Sequence, residues 1–311
     1  MIAQPVVVGV DASPEAAAAA AAGWRLAEAA RVPCHLVHAT QDIRSALDLA
    51  GTGEGGGVSL DELQLAMLAR ARGEIVAALE ARVPDVLLKR LIVRVGRPTA
   101  VLADVVAETD AGALVLGGKH HSTLARWFGG STVRHAVRRI SVPLLVTAGD
   151  LHPRPRVLVA VDVSYAAVPT ADAAVAFARM LGGPLRALHV IEPVPAVADV
   201  PFAVQSAEHE ARSRERIERD VWTLLPIPDH QKVIRWGSAV DTIAREAAAW
   251  RADVVVVGSH GKGWVDRLLI GSATEQLLGD LPTAVLVIPI PAPERREAVP
   301  ALVRQASVIP A

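Results

Sequence analysis

Short apolar runs alternate along the chain with longer stretches in which apolar residues recur every three or four positions. The first run, 6–10, is rich in valine, as expected for a strand that is covered on both faces. Ser13 and Pro14 then predict a helix start, because serine caps helix N-termini and proline suits the first helical position. The alanine-rich stretch that follows predicts a helix that continues to Ala30. Alternation of this kind predicts right-handed crossovers between parallel strands.

The same alternation continues through the rest of the chain. The second half repeats the order of the first and ends in the apolar run 283–290, which predicts a last strand. In the first half, the pattern predicts further strands at 34–39, 87–95, 113–117 and 143–148, and helices at 60–81, 99–108 and 131–139.

The chain contains an internal repeat. PVVVGVDAS at 5–13 reappears as RVLVAVDVS at 156–164, an offset of 151 residues. Further along the offset is 141 residues, since Gly117 matches Gly258 and Gly130 matches Gly271. The difference of ten residues predicts an insertion in the first half, for which the glycine-rich stretch LAGTGEGGG is the candidate.

This repeat predicts two tandem doubly wound α/β domains. Each is expected to be a five-stranded parallel sheet with helices on both faces, the first at 1–150 and the second at 151–290. Two prolines in 149–156 predict a short, stiff linker between them, and 291–311 is predicted to be a C-terminal extension. In such sheets, ligands bind beyond the carboxyl ends of the strands, where the strand order reverses.

Composition narrows the class of protein. The chain has 311 residues, 51% of them hydrophobic, which is enough to build a core. Its 32 basic and 33 acidic residues balance, so binding to a nucleic-acid backbone is not expected. A single cysteine, Cys34, excludes an internal disulfide and suits a cytoplasmic location. No apolar run reaches the length of a membrane span, and no basic segment precedes the first strand as in a signal peptide, so neither is predicted.

A glycine-rich loop follows the fourth strand of the second half. Gly258 stands directly after the strand, Gly261 follows after two intervening residues, and Gly271 with Ser272 opens a helix after nine more. Glycines let the backbone approach a ligand without a Cβ in the way, and a helix N-terminus attracts anions. The spacing therefore predicts a phosphate-binding loop. A simple strand-to-loop turn, with Ser272 as a helix cap, is the alternative.

The spacing Gly258-x2-Gly261-x9-Gly271-Ser272, together with VDVS after strand one and LHV at strand two, resembles the ATP-binding branch of the universal stress protein family. The resemblance covers both halves to about residue 290 and implies a Rossmann-like fold of the adenine nucleotide alpha-hydrolase type. It also implies an adenine nucleotide as partner, with ATP and an accompanying Mg²⁺ as cofactors. The implied binding residues of the second half are Ala160, Asp162, Val190, Val257, Gly258, Gly261, Gly271, Ser272 and Ala273.

The first half departs from this pattern. His120 stands where the second half has Gly261, and its side chain would obstruct a close approach of the backbone to phosphate. We therefore expect the first half to bind nucleotide weakly, differently or not at all. The implied residues there are Gly9, Asp11, Ala39, Gly117, Gly130, Ser131 and Thr132.

Three functions remain open from the sequence. The first is an ATP-binding regulator of a stress response, and the second is an interaction scaffold with vestigial pockets. The third is a slow adenine-nucleotide hydrolase, for which we identify no catalytic residues and no metal ligands. Members of the family associate through the edge of strand five, which implies a homo-oligomer or a pairing of the two halves within one chain.

Overall fold

The computed structural model describes residues 2–42, 59–118, 133, 135–136, 140–147, 149–193, 202–225, 227–259 and 271–290. The first half contains β1 (Val6–Gly9), α1 (Pro14–Ala30), β2 (Cys34–Thr40), α2 (Leu60–Leu79), α3 (Asp85–Lys89), β3 (Ile92–Val95), α4 (Pro98–Glu108), β4 (Ala113–Gly117) and β5 (Leu144–Thr147). The second half contains β6 (Val157–Ala160), α5 (Ala167–Leu181), β7 (Leu185–Ile191), α6 (Phe202–Asp220), β8 (Lys232–Trp236), α7 (Ala239–Trp250), β9 (Val254–Gly258), α8 (Ser272–Gly279) and β10 (Ala284–Ile288).

The described strands form one ten-stranded sheet in the order β3-β2-β1-β4-β5-β10-β9-β6-β7-β8. Within each half neighbouring strands are parallel, so the doubly wound five-stranded arrangement predicted for each half is confirmed. The halves meet at the seam, the antiparallel pair of β5 and β10, where Leu145 lies opposite Leu286. The pairing through strand five is thus found within one chain.

Helices cover both faces of the sheet. One apolar cluster packs α1, the end of α2 and α5 against one face, and a second cluster packs α4, α7 and α8 against the other. Strand β9 shows the consequence, because Val254, Val255 and Val256 have no exposed surface although successive side chains point to opposite faces. This double burial explains why the strands are valine-rich rather than alternating in polarity.

Helix α1 begins where the sequence predicts. The Ser13 side chain accepts a hydrogen bond from the Ala16 backbone N–H over 3.2 Å, and Pro14 is the first helical residue. The helix ends at Ala30, and its C-cap, Arg31, adopts a left-handed conformation with φ of 58°. The predicted cap and proline therefore fix the residue at which α1 begins after β1.

The predicted strand 87–95 is wrong in its first part. Residues Asp85–Lys89 form α3, and β3 begins only at Ile92. Pro84 takes the N-cap position, and Leu87 and Leu88 are both buried on one side of this short helix. Two adjacent buried leucines look like part of a strand in the sequence, but tertiary packing selects a helical turn here.

Two other predicted segments differ from the structure or lie partly outside it. Helix α2 ends at Leu79, and its buried residues are Ile75 and Leu79 near its C-terminus, so the amphipathic pattern is used only there. Of the predicted helix 131–139, residues 133, 135 and 136 are described and are helical. The proposed insertion, 49–57, lies outside the described residues.

Candidate functional site

The strand order reverses once in each half, and the candidate residues lie at these two points. From β6 the chain moves outward to β7 and β8, and α7 then returns it to β9 on the other side of β6. Asp162 follows β6 and Gly258 ends β9, so both stand at the carboxyl edge of the sheet beside this reversal. Asp11 and Gly117 stand at the equivalent point between β1 and β4. Crevices at such reversals are where α/β sheets bind ligands.

The aspartate after the first strand of each half organises a tight turn. In the second half, Oδ1 of Asp162 accepts hydrogen bonds from the Ser164 backbone N–H over 3.0 Å and from the Ser164 hydroxyl over 2.5 Å. In the first half, Asp11 accepts the same two bonds from Ser13. Both aspartates therefore form turns, and each turn holds its carboxylate at the carboxyl edge of the sheet.

In each half, a histidine of the neighbouring strand holds this turn in place. The Nδ1–H of His189 donates to the Val161 carbonyl over 2.9 Å, and the Nδ1–H of His38 donates to the Val10 carbonyl over 2.8 Å. His189 is 2% exposed, so this bond is shielded from water. Both histidines therefore have a structural role, and each fixes the turn that carries the aspartate.

The N-terminus of α8 is held at the end of β9. The Gly271 backbone N–H donates to the Ser259 carbonyl over 2.9 Å, and the Thr274 hydroxyl donates to the Gly258 carbonyl over 2.8 Å. These two bonds join the end of β9 directly to the first turn of α8. The helix begins at Ser272, so its first backbone N–H groups and its positive dipole end lie next to Gly258.

In the first half, the equivalent point is a cavity of about 300 Å³. Its walls come from the ends of β1, β2 and β4, the first turn of α1 and the start of α4. Four residues predicted for this site, Gly9, Asp11, Ala39 and Gly117, line it together. The sequence prediction therefore brings together residues up to 108 positions apart.

Gly117 is required for the packing of this cavity. A Cβ at this position would lie 2.7 Å from both the carbonyl carbon and the carbonyl oxygen of Glu15. These are backbone atoms of α1, which cannot move aside without shifting the helix. The glycine therefore allows α1 to approach the end of β4, whether or not a ligand is bound.

Comparison with known proteins decides the family. A model of the universal stress protein family matches residues 3–148 and, a second time, residues 153–289. The chain belongs to the universal stress protein family. A universal stress protein of Mycobacterium bovis is 30% identical over 294 residues, which is 91% of this chain and 96% of that protein. One from Thermus aquaticus is 28% identical over 132 residues, 42% of this chain but 96% of that protein.

Solved structures share the fold of this universal stress protein. A structure from Archaeoglobus fulgidus superposes with a TM-score of 0.56 at 17% identity, covering 92% of this chain and 98% of the other. A Pseudomonas aeruginosa structure assigned to the same family gives a TM-score of 0.59 at 19% identity, covering 93% of both chains. In the part of the chain that the structure describes, none of the helices has the length and apolarity of a membrane span.

Most of the residues predicted for the second site of this universal stress protein reach one edge of the sheet. Ala160 ends β6, Val190 is the penultimate residue of β7, and Val257 precedes Gly258 at the end of β9. Ser272 and Ala273 form the first turn of α8. Four predicted residues lie outside the described part of the chain: Gly261, Gly130, Ser131 and Thr132.

Thr274 and Ser164 are two further residues of the site that the sequence pattern did not identify. Thr274 is 4% exposed and bonds the Gly258 carbonyl, whereas the first half has the buried Val133 at the equivalent position. The sequence gives no signal for this bond, because only the fold shows that the Thr274 hydroxyl is buried and therefore needs a partner. Ser164 was visible as part of VDVS, but its bond to Asp162 depends on the turn geometry.

Proposed function

We propose that the second half of this protein binds an adenine nucleotide, ATP, and that its occupancy regulates a stress response. The observation that carries the proposal is the reversal of strand order between β6 and β9. Asp162 lies on one side of it, and Gly258 on the other is fastened to the start of α8 by Thr274. Main-chain groups and a helix N-terminus at a strand-order reversal suit a phosphorylated ligand.

Each group has a defined part in this proposal. Ala160 and Val257 are small or apolar and would form the walls, and the backbone of Val190 would contact the adenine. Gly258, Gly271 and the N–H groups of Ser272 and Ala273 would contact the ribose and phosphates, and neither glycine places a side chain in the way. Mg²⁺ would accompany the phosphates and reduce their charge near the carboxylate of Asp162.

Regulation requires that ATP bind two conformations of the protein unequally, because a ligand with equal affinity for both shifts no population. The loop that joins Gly258 to Gly271 is the segment to which a bound triphosphate would add contacts. We therefore place the response to ATP in this loop and in the partner that recognises it. The first half, with His120 in place of a glycine, is proposed to bind nucleotide more weakly or not at all.

The experiment compares two matched glutamate substitutions by isothermal titration calorimetry with ATP. Gly261→Glu places bulk and negative charge in the second loop, so we expect binding to be lost at millimolar ATP. His120→Glu makes the same change at the equivalent position of the first half and should leave the high-affinity site intact. Equal affinity of Gly261→Glu and the unmodified protein would refute the proposal.

The same protein preparation separates the alternatives. Purified protein is denatured, and the supernatant is analysed by ion-exchange chromatography for released nucleotide. Recovered ATP supports the regulator. If no nucleotide is recovered and calorimetry detects no binding, a scaffold is favoured. Release of phosphate that Gly261→Glu abolishes would favour a hydrolase. A cytoplasmic location and a homo-oligomer stay predictions, which fractionation and light scattering test.

A further inference from the structure

A small apolar cavity lies at the seam, away from both candidate nucleotide sites. Its volume is about 130 Å³, and α5 contributes Ala173, Ala176, Phe177 and Met180 to its wall. The rest comes from the first residues of the chain, from α1, and from the strands around the seam, including Ile288 at the end of β10. An apolar void of this size next to well-packed strands costs stability unless something fills it.

The two halves are related by an approximate twofold axis through the seam, and this relation predicts what fills the void. The Gly118 N–H donates to the Thr147 carbonyl over 2.7 Å, and the Ser259 N–H donates to the Ile288 carbonyl over 2.8 Å, so these bonds are equivalent. The chain that leaves β5 therefore corresponds to the chain that leaves β10. The offset of 141 residues makes position 292 the counterpart of Leu151.

On the first-half side of the axis, the linker packs at the equivalent place, where a cavity of about 260 Å³ remains open beside it. Leu151 is 5% exposed and belongs to the apolar cluster on the α1 face. It lies beside Ala22 and Arg25 of α1, and the Arg25 guanidinium donates a hydrogen bond to the Leu151 carbonyl. By the offset of 151 residues, Ala22 and Arg25 correspond to Ala173 and Ala176, which line the cavity.

The chain enters this region from β10 at a fixed point. Ile290 is 6% exposed, and its backbone N–H donates to the Ser259 hydroxyl over 2.9 Å. Two further residues span about 7 Å, enough to bring the chain from Ile290 to the rim that Ile288 forms. Residues 291–311 follow in the sequence and include apolar side chains such as Leu302 and Ile309.

We propose that the beginning of the segment 291–311 packs against α5 and partly fills the seam cavity, with Ala292 at the position equivalent to Leu151. The segment would then pack against α5 of the second half as the linker packs against α1 of the first half. Because Ala176 replaces Arg25 and Ala292 replaces Leu151, both side chains at this place are shorter than on the first-half side. The proposal does not depend on nucleotide binding.

The test uses the full chain and its methionine methyl groups. The sequence has three methionines: Met180 lines the cavity, Met67 lies on α2, and Met1 begins the chain. In protein labelled with ¹³C at the methionine methyls, Ala292→Asp should shift the Met180 resonance and leave Met67 unchanged, since a charge is expelled from an apolar cavity. Ala311→Asp, with the same change at another position of the segment, should shift neither resonance.

A second variant tests the same contact by stability. Ala292→Leu restores the side chain found at Leu151 and should raise the melting temperature by about 3 °C. Ala311→Leu should have no effect. An unmoved Met180 resonance in Ala292→Asp, or a melting temperature for Ala292→Leu no higher than for Ala311→Leu, would overturn the proposal. Two other results would also overturn the proposal. Native mass spectrometry could find a bound apolar molecule in the cavity, or the Met180 signal could depend on protein concentration, which would indicate that a second copy of the chain occupies the cavity.

Discussion

Replacement of Glu246 by glutamine should destabilise the second half through a buried ion pair. The Glu246 carboxylate is 7% exposed and accepts hydrogen bonds from Arg186 over 2.9 Å and from Arg235 over 3.0 Å. The guanidinium of Arg186 also lies 4.7 Å from the ring centre of Trp250. Glu246→Gln keeps the shape of the side chain but leaves two arginines without a compensating charge.

The expected magnitude follows from burial. Removal of one partner of a buried pair costs roughly 3–5 kcal/mol. Arg186 is 28% exposed and Arg235 is 50% exposed, so water can solvate part of the charge that remains. We therefore expect a loss of about 2–3 kcal/mol, since exposed pairs contribute little. For a chain of this length, that corresponds to a fall of about 4 °C in melting temperature.

The first half supplies a matched control. Arg94 is equivalent to Arg235, but it pairs with Glu108, whose side chain is 53% exposed. The two contacts of this pair, 2.7 and 2.6 Å, are as short as those in the second half. Glu108→Gln should leave the melting temperature nearly unchanged in the same calorimetric scan. If both variants lower the melting temperature equally, burial does not decide the strength of these pairs and our reasoning is wrong.

Two further predictions concern a glycine contact and the cysteine. Gly117→Ala should lower the free energy of unfolding in urea by about 1–3 kcal/mol, because its Cβ would meet the backbone of Glu15. Gly73→Ala, at a helical site with nothing within 4 Å, should raise it by about 0.5–1 kcal/mol, and the reverse order would contradict both assignments. Burial raises the pKa of Cys34 to about 12, so the thiol should resist Ellman's reagent at pH 8 until the protein unfolds. Rapid labelling of the folded protein would refute the burial of Cys34. Above about pH 9 the thiol ionises in the unfolded chain but not in the folded protein, so the free energy of unfolding should fall as the pH rises towards 12.

Local signals predicted those elements in which sequence pattern and tertiary packing agree. Ser13 and Pro14 mark the start of α1 because the cap and the fixed φ of proline act within one turn. Leu87 and Leu88 gave the wrong element, because an apolar pair is compatible with either a strand or one face of a short helix. The choice depends on what the pair packs against, and that information is not local.

The candidate site was predictable to the extent that it consists of strand ends. Asp162 and Gly258 could be placed together because the carboxyl ends of parallel strands share one edge of a sheet. The bond from Thr274 to the Gly258 carbonyl could not, since it depends on the angle at which α8 meets β9. Likewise, the sequence shows that strand five is apolar, but not whether its partner is another chain or the other half.

The seam restricts how the protein can associate. Strands β5 and β10 are the apolar edges of their halves, and each covers the other, which removes two surfaces that would otherwise promote aggregation. The edges that remain in the described sheet are β3 and β8, which carry Arg94 and, on β8, Lys232 and Arg235. Charged side chains of this kind disfavour pairing of edge strands between molecules. Any homo-oligomer must therefore use a surface other than strand five. Because the seam lies within one chain, a charge placed there by Leu145→Asp should unfold the protein and should not convert a dimer to monomers, which light scattering distinguishes.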